Sequence, residues 1–298
     1  MRPKMNSSGE LALVRSRFAD YLALTKPELT FLSVMTAMAG FYMATTGVID
    51  YVLMIHTFLG TAFVGAGAGA LNQYIEREYD GMMRRTENRP LPAGRLTPQE
   101  VLVFGTSMAI IGLVELTLFT NPLTGFLAAA TITSYLFLYT PLKRITPFST
   151  VIGGIPGALP PMMGWTAVRG EITMGAWVLF AILFFWQMPH FFSLAWMYKK
   201  DYARAGFPMI TVVDSDGTVA GKQILIFSAL LLPTAALPAI LGMAGLGYLL
   251  AGITFSAFFF VCSLQLSLKK STFWARRVFF ASLIYLPALF TIMSVDKL

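Results

Sequence analysis

Asn72-Gln73-Tyr74-Ile75-Glu76-Arg77-Glu78-Tyr79-Asp80-Gly81-Met82-Met83-Arg84-Arg85-Thr86-Glu87-Asn88-Arg89-Pro90-Leu91-Pro92-Ala93-Gly94-Arg95 is the stretch on which the reading of this chain turns. Nine of its 24 residues are acids or bases, although charged residues make up only 12% of the sequence. It follows directly on residues 60–71, a run of small and apolar side chains. The simplest reading is an apolar helix that runs into a dense polar cluster. Asn72, Glu76 and Asp80 are spaced i, i+4, i+8, so on a helix they share one face. At about 1.5 Å rise per residue they form a polar ladder roughly 12 Å long. Arg77, Arg84, Arg85 and Arg89 surround it. Oxygen ligands beside fixed cations suit a hydrated Mg²⁺ bridging to a phosphorylated substrate. The plainer alternative is a solvated helix end with a membrane-anchoring loop, and spacing alone leaves both open.

Working outward, the rest of the chain is too apolar for a soluble domain. It is 56% hydrophobic over 298 residues, with 25 Phe and 17 Met and a mean hydropathy of +0.67. Apolar segments of spanning length, roughly 20 residues each, fall at about 28–46, 52–75, 101–120, 123–140, 150–168, 174–196, 222–242, 245–267 and 278–295. The expected fold is an all-α polytopic membrane protein of nine transmembrane helices. Residues 1–17 read as an N-terminal tail without a cleavable signal, and 18–298 as one membrane domain. Residues 18–25 read as a short interfacial helix broken at Lys26-Pro27.

Charge placement orients this arrangement. With the N-terminus inside, 20 of the 22 Lys and Arg fall in inner segments, leaving only Arg169 and Lys297 outside. The C-terminus is then expected outside. Basic residues confined to short loops between apolar runs argue against a nucleic-acid partner, despite the net charge of +7. The single Cys262, within an apolar segment, excludes a disulfide framework and reads as a buried hydrophobe.

Two inner loops, 76–100 and 197–221, are long and rich in both acids and bases. The second is entered through Trp186-Gln187-Met188-Pro189-His190-Phe191 and carries Lys199, Lys200 and Asp201. Asp201 offers a second carboxylate, and the lysines offer phosphate-binding ammoniums or simple surface anchors. His190, beside a proline inside an apolar segment, is a candidate metal or haem ligand or proton carrier, or a histidine bonded to a neighbouring helix. Lys143 and Arg144 form a short inner connection with no acid nearby. Glu115 reads as an isolated carboxylate toward the outer side, and His56 as unremarkable. Gly153-Gly154 and Pro156-Gly157, with Pro160-Pro161 and Gly164, are expected to break the fifth span.

With these residues on the page, the chain resembles the protohaem IX farnesyltransferases (haem O synthases) among the UbiA-type intramembrane prenyltransferases. The resemblance covers roughly residues 18–290. It rests on Leu24-Thr25-Lys26-Pro27, the 72–92 block, Tyr139-Thr140 with Lys143-Arg144, the 153–165 block and 186–209. Arg85-Thr86, Arg89-Pro90 and Trp186-Gln187 with Pro189-His190-Phe191 point to the haem branch. Two departures stand out: Glu76 and Glu78 where many relatives carry Asp, and Ser149 where Asn is frequent. The resemblance implies helices around a central cavity capped by polar loops on the cytoplasmic side of the plasma membrane. It implies Mg²⁺ held by Asn72, Glu76, Asp80 and Asp201, which are also the catalytic set. Arg77, Arg84, Arg85, Arg89, Lys143, Arg144, Lys199 and Lys200 become candidates for the diphosphate of farnesyl diphosphate. His190, Trp186 and Gln187 become candidates for contact with haem B. It further implies that haem O passes to haem A synthase or a terminal oxidase. A quinone-precursor aromatic acceptor is the nearest rival. A transporter, from a different class, would not need a clustered Asn/Glu/Asp ladder facing a basic loop.

Overall fold

A short helix, α1 (17–24), stops at the Lys26-Pro27 step, after which the chain runs through long helices. The computed structural model describes residues 17–298, so the tail expected over 1–17 lies outside the described residues except for Arg17. The elements are α2 (Pro27–Ala44), α3 (Tyr51–Asp80), α4 (Pro98–Leu118) and α5 (Pro122–Thr133). A π-helical segment (Ser134–Tyr139) joins α5 to α6 (Thr140–Leu142) without a break. Then come α7 (Ser149–Arg169), α8 (Met174–Met197), α9 (Lys199–Arg204), α10 (Ile210–Val213), α11 (Thr218–Ile240), α12 (Leu246–Lys269) and α13 (Thr272–Val295). Among the described residues, seven helical stretches are long and apolar enough to cross a membrane. The other two expected spans correspond to α2 and α7, which are 18 and 21 residues long; α2 opens on Pro27-Glu28, and α7 holds three prolines and four glycines.

Local chemistry sets the helix starts. Asp50, Asn121 and Ser271 cap α3, α5 and α13 by accepting from backbone N–H groups of the first turn. Thr97 and Glu100 form a reciprocal capping box on α4, with Pro98 in its first turn. Small residues then bring the helices together, as expected where lipid supplies little hydrophobic drive. A Cβ on Gly67 of α3 would meet Ala109 N of α4 at 2.6 Å, and one on Gly112 of α4 would meet Val64 N at 2.6 Å. The α2–α7 contact is closer still: Cβ atoms on Gly40 and Gly164 would stand 2.0 Å from Pro161 O and 1.7 Å from Ala37 O.

That contact corrects one expectation. The glycines and prolines of the fifth span do not break it: α7 is continuous through Pro156, Pro160 and Pro161. Its glycine-mediated contact with α2 buries this stretch against protein, where proline in a membrane helix is tolerated. α8 likewise continues through Pro189.

At the end of α2 remote from Lys26, the C-terminal residues bind the bundle shut. Lys297 Nζ donates to Tyr42 O at 2.6 Å and to Thr45 O. Asp296 accepts from Tyr248 N at 2.6 Å and, through its carbonyl, from Gly245 N at 2.8 Å. The end of α13 is thereby tied to the end of α2 and to the start of α12.

Gly164→Val inserts a branched side chain where only backbone contact fits. It is expected to destabilise the protein by about 1–3 kcal/mol, read as a lowered thermal unfolding midpoint in detergent. An unchanged midpoint would show that the α2–α7 contact is looser than described.

Candidate active site

The ladder forms on α3 as the spacing predicts, and it is buried: Asn72 and Glu76 are each 2% exposed and Asp80 1%. Buried polar groups on an apolar helix need partners. Each rung is matched to a cation from a different segment. Lys26 Nζ donates to Asn72 Oδ1 at 2.7 Å, Lys143 Nζ to Glu76 Oε1 at 2.8 Å, and Arg89 to Asp80 Oδ2 at 2.6 Å. Asn72 Nδ2 in turn donates to Thr140 Oγ1 at 3.1 Å. The second oxygen of Asp80, Oδ1, is buried with no hydrogen-bond partner among the described residues.

Lys26 was not among the expected site residues beyond its place in the Leu24–Pro27 motif. Two signals mark it. Its backbone is left-handed at φ 47°, a conformation that costs of order 1–3 kcal/mol at a non-glycine residue and persists where surroundings over-determine it. Burial, with Arg89 close by, pushes its ammonium down to about 7. An arriving anion would draw that proton back. Lys143 goes the other way. Burial opposes its charge, but Glu76 and the phenols of Tyr139 and Tyr202 outweigh burial and hold the ammonium above the usual lysine range.

The two acid–base loops meet over the end of α3. Met83, Ala195, Tyr202, Ala205, Phe207 and Met209 form one apolar cluster, with Tyr79 and Tyr198 against it. Cations seal it from both sides. Arg85 lies over the rings of Tyr198 and Tyr202 at 4.9 and 4.5 Å, and Lys143 over Phe207 at 5.1 Å. Arg144 lies over Tyr79 at 4.0 Å while donating to Ile75 O at 3.0 Å. Thr86 Oγ1 donates to Asp80 O at 2.8 Å, holding the 81–97 loop onto the helix end.

Below the ladder lies an apolar cavity of about 240 Å³. Helices α2, α3 and α7 and the π-helical segment contribute most of its wall, including Gly65, Tyr135, Tyr139, Gly157 and Met163. Lys26 is its one charged lining residue, so one side chain touches both the apolar cavity and the first rung. Tyr135 and Tyr139, four residues apart in the π-helical segment, stand on the same wall with ring centroids 5.6 Å apart. A π turn inserted at a functional site follows a familiar pattern, and no 3.6-residue periodicity announces it.

The other candidates fall further out. The Asp201 carboxylate pairs with Arg204 at 3.4 Å and bonds to no rung. Arg77 donates to Tyr74 O and lies over the Tyr74 ring. Arg84 and Lys200 are exposed, and Lys199 reaches Asp214 O at 3.4 Å. Trp186 and Gln187 are buried with their polar groups used inside the bundle: Trp186 Nε1 donates to Ser282 O at 2.9 Å and Gln187 Nε2 to Gly154 O at 2.7 Å. His190 Nδ1 stands 2.7 Å from Ser282 Oγ. Glu115 is not isolated as expected. It lies 2.7 Å from His56 Nδ1, whose ring stacks on Phe119.

Among the described residues, no group of three or more His, Cys, Asp or Glu side chains is placed to hold a metal ion by itself. A hard cation would therefore be completed by the Asn72 amide oxygen and by substrate or water oxygens, which is how Mg²⁺ is usually held. The unpartnered Asp80 Oδ1 fits that role, and so does the all-oxygen donor set.

Comparison with known proteins places the fold in a family. The model of the UbiA prenyltransferase family matches residues 33–284. A protoheme IX farnesyltransferase from Solibacter usitatus is 44% identical over 93% of this chain and 98% of its own. A solved digeranylgeranylglyceryl phosphate synthase superposes with a TM-score of 0.79 at 19% identity, covering 94% of this chain and 98% of the other. A UbiA homologue from Archaeoglobus fulgidus, solved with GPP and Mg²⁺ bound, superposes at 0.64 and 15% identity, covering 92% and 99%. With its matching model, its close relatives and its shared fold, this chain belongs to the UbiA prenyltransferase family.

Proposed function

We propose that the chain transfers the farnesyl group of farnesyl diphosphate to a vinyl group of haem B, with addition of water, giving haem O and diphosphate. The observation that carries the donor half is the buried, unpartnered Asp80 Oδ1 among three cation-matched rungs, beside an apolar cavity that Lys26 also lines. The acceptor half is supported by the 44% identity to a protoheme IX farnesyltransferase. The Archaeoglobus homologue with GPP and Mg²⁺ supports a metal-assisted donor site.

In this reading the diphosphate sits at the ladder and the prenyl chain in the cavity. Asn72, Glu76 and Asp80 would hold a Mg²⁺ ion, which would supply charge neutralisation for the departing diphosphate. Asp201, one loop away, is a further ligand if α9 moves inward. Lys26, Lys143 and Arg89 hold the departing oxygens. The allylic C–O bond breaks with its electron pair leaving on the diphosphate. The haem vinyl group supplies the pair for the new C–C bond, water adds to the resulting cation beside the ring, and its proton leaves to the diphosphate. The apolar walls keep water from the allylic cation before that bond forms, and the faces of Tyr135 and Tyr139 are oriented to stabilise positive charge. His190 is the proposed contact to the haem iron.

Charge placement supports nine spans with this site on the cytoplasmic side of the plasma membrane. Delivery of haem O to haem A synthase or a terminal oxidase follows as the proposed use of the product.

Asp80→Asn is expected to lower haem O formation about 100-fold or more, as is removal of Mg²⁺ with a chelator. The assay extracts haem from membranes supplied with haem B and farnesyl diphosphate. Full activity of the variant would refute the metal role, and prenylation of a hydroxybenzoate in place of haem would favour the quinone-precursor reading. Lys26→Met should raise KM for farnesyl diphosphate about tenfold with a smaller effect on KM for haem; equal effects on both would remove Lys26 from the donor site. Topology is open to direct labelling. In a Cys262→Ser background, Gly47→Cys should react with an impermeant maleimide from outside and Glu78→Cys only after the membrane is opened. The reverse pattern would invert the proposed orientation.

A further inference from the structure

We infer that Thr61, Thr131 and Met163 form the floor of the prenyl cavity, and that their depth below the ladder selects the farnesyl chain over its shorter and longer homologues. This inference rests on the reading that puts the prenyl chain of the donor in this cavity.

The cavity has a polar end and a closed end. Lys26, bonded to the Asn72 rung, marks the polar end. Helices α3 and α5 run toward the ladder and α7 runs away from it, so chain position ranks their lining residues by depth. The deepest on each helix are Thr61, Thr131 and Met163. Two of these touch: Thr131 Oγ1 is 3.8 Å from Met163 Sδ. Thr131 also returns its hydroxyl to its own helix, donating to Leu127 O at 2.8 Å, as Thr57 does to Leu53 O. Thr61 does not. Its buried hydroxyl has no partner among the described residues, and the side chain lines the cavity.

Past these residues the helices close on one another. Directly after Met163, Gly164 leaves no room between α7 and α2, since an added Cβ would stand 1.7 Å from Ala37 O. One turn beyond Met163, Thr166 Oγ1 lies 2.9 Å from Thr124 Oγ1, and Asn121 Nδ2 donates to Thr166 O at 2.8 Å, joining α7 to α5. Directly before Thr61, Gly60 packs on α4, where an added Cβ would stand 2.5 Å from Leu116 Cγ. A prenyl tail that reaches Met163 therefore has no path further along the bundle.

Length then discriminates between donors. From Asn72 down to Thr61 the helix descends about 16 Å. At about 1.5 Å per carbon–carbon bond, an extended farnesyl chain reaches roughly 14 Å, a geranyl chain about 9 Å and a geranylgeranyl chain about 19 Å. The farnesyl chain fills this depth, and the geranyl chain leaves its lower part empty. The geranylgeranyl chain has to fold back or lift its diphosphate off the ladder. A misfit of even one methylene in an apolar pocket is worth about tenfold or more. Met163 is the largest floor side chain, so trimming it deepens the cavity most, whereas enlarging Thr61 makes the cavity shallower.

The test measures binding of geranyl, farnesyl and geranylgeranyl diphosphate to the full chain in neutral detergent with Mg²⁺, from the rise of the unfolding midpoint with ligand concentration. Haem is left out, so an error in the acceptor reading does not touch the result. Wild type should bind farnesyl diphosphate about tenfold or more tighter than either homologue. Met163→Ala should tighten geranylgeranyl diphosphate about tenfold, bringing it level with farnesyl diphosphate. Thr61→Phe works in the opposite direction and decides the matter if the alanine variant does not fold. It should weaken farnesyl diphosphate about tenfold and leave geranyl diphosphate unchanged. Retention of the wild-type order in both variants, or an equal loss of all three donors, would overturn the floor. Failure of wild type to bind any of the three would overturn the donor reading, and the floor with it.

Discussion

Three polar side chains on one face of an apolar helix form the constraint around which this bundle is arranged. Asn72, Glu76 and Asp80 are all but excluded from solvent, and two of them bear charge. Buried carboxylates are tolerated only when charge and hydrogen bonds are returned to them. Here the compensation comes from Lys26 ahead of α2, Lys143 after α6 and Arg89 in the 81–97 loop. Each partner belongs to a segment that other helices must position, so the site exists only in the assembled bundle. Removing one partner of such a pair typically costs about 3–5 kcal/mol, because the remaining charge is stranded.

The packing serves that arrangement. Glycines at positions 40 and 164 let α2 and α7 approach to backbone contact, those at 67 and 112 do so for α3 and α4, and Gly69 of α3 leaves room for Lys26 beside the helix that carries Asn72. Thr140, directly after the π-helical segment Ser134–Tyr139, accepts from the Asn72 amide, and Tyr135 and Tyr139 of that segment line the cavity. The C-terminal residues close the far end onto Tyr42, Thr45 and Tyr248. Strain is left where it is useful, in the left-handed backbone of Lys26.

The same physics links structure to prenyl transfer. Cations already held by carboxylates need little reorganisation when a diphosphate arrives, which is the advantage of a preorganised electrostatic site. An apolar cavity ending at those cations separates the part of the substrate that must stay dry from the part that must be charged.

Much of this was legible in the sequence, for reasons that are local. The ladder is a spacing on one helix, the helical spans are composition, and the basic loops are charge order along the chain. Each survives whatever the distant packing does. The candidate cap was legible too, since both loops announced themselves by charge. Tertiary structure alone decided which cation meets which rung: Lys26 is 46 residues from Asn72 and Lys143 is 67 from Glu76. It alone paired Glu115 with His56 across 59 residues, left Asp201 with Arg204 instead of the ladder, and kept α7 whole through three prolines. The physical reason is the same in each case. Helical periodicity says which face a residue occupies, but the groups facing it across the bundle are chosen by helix packing, and no local pattern encodes that.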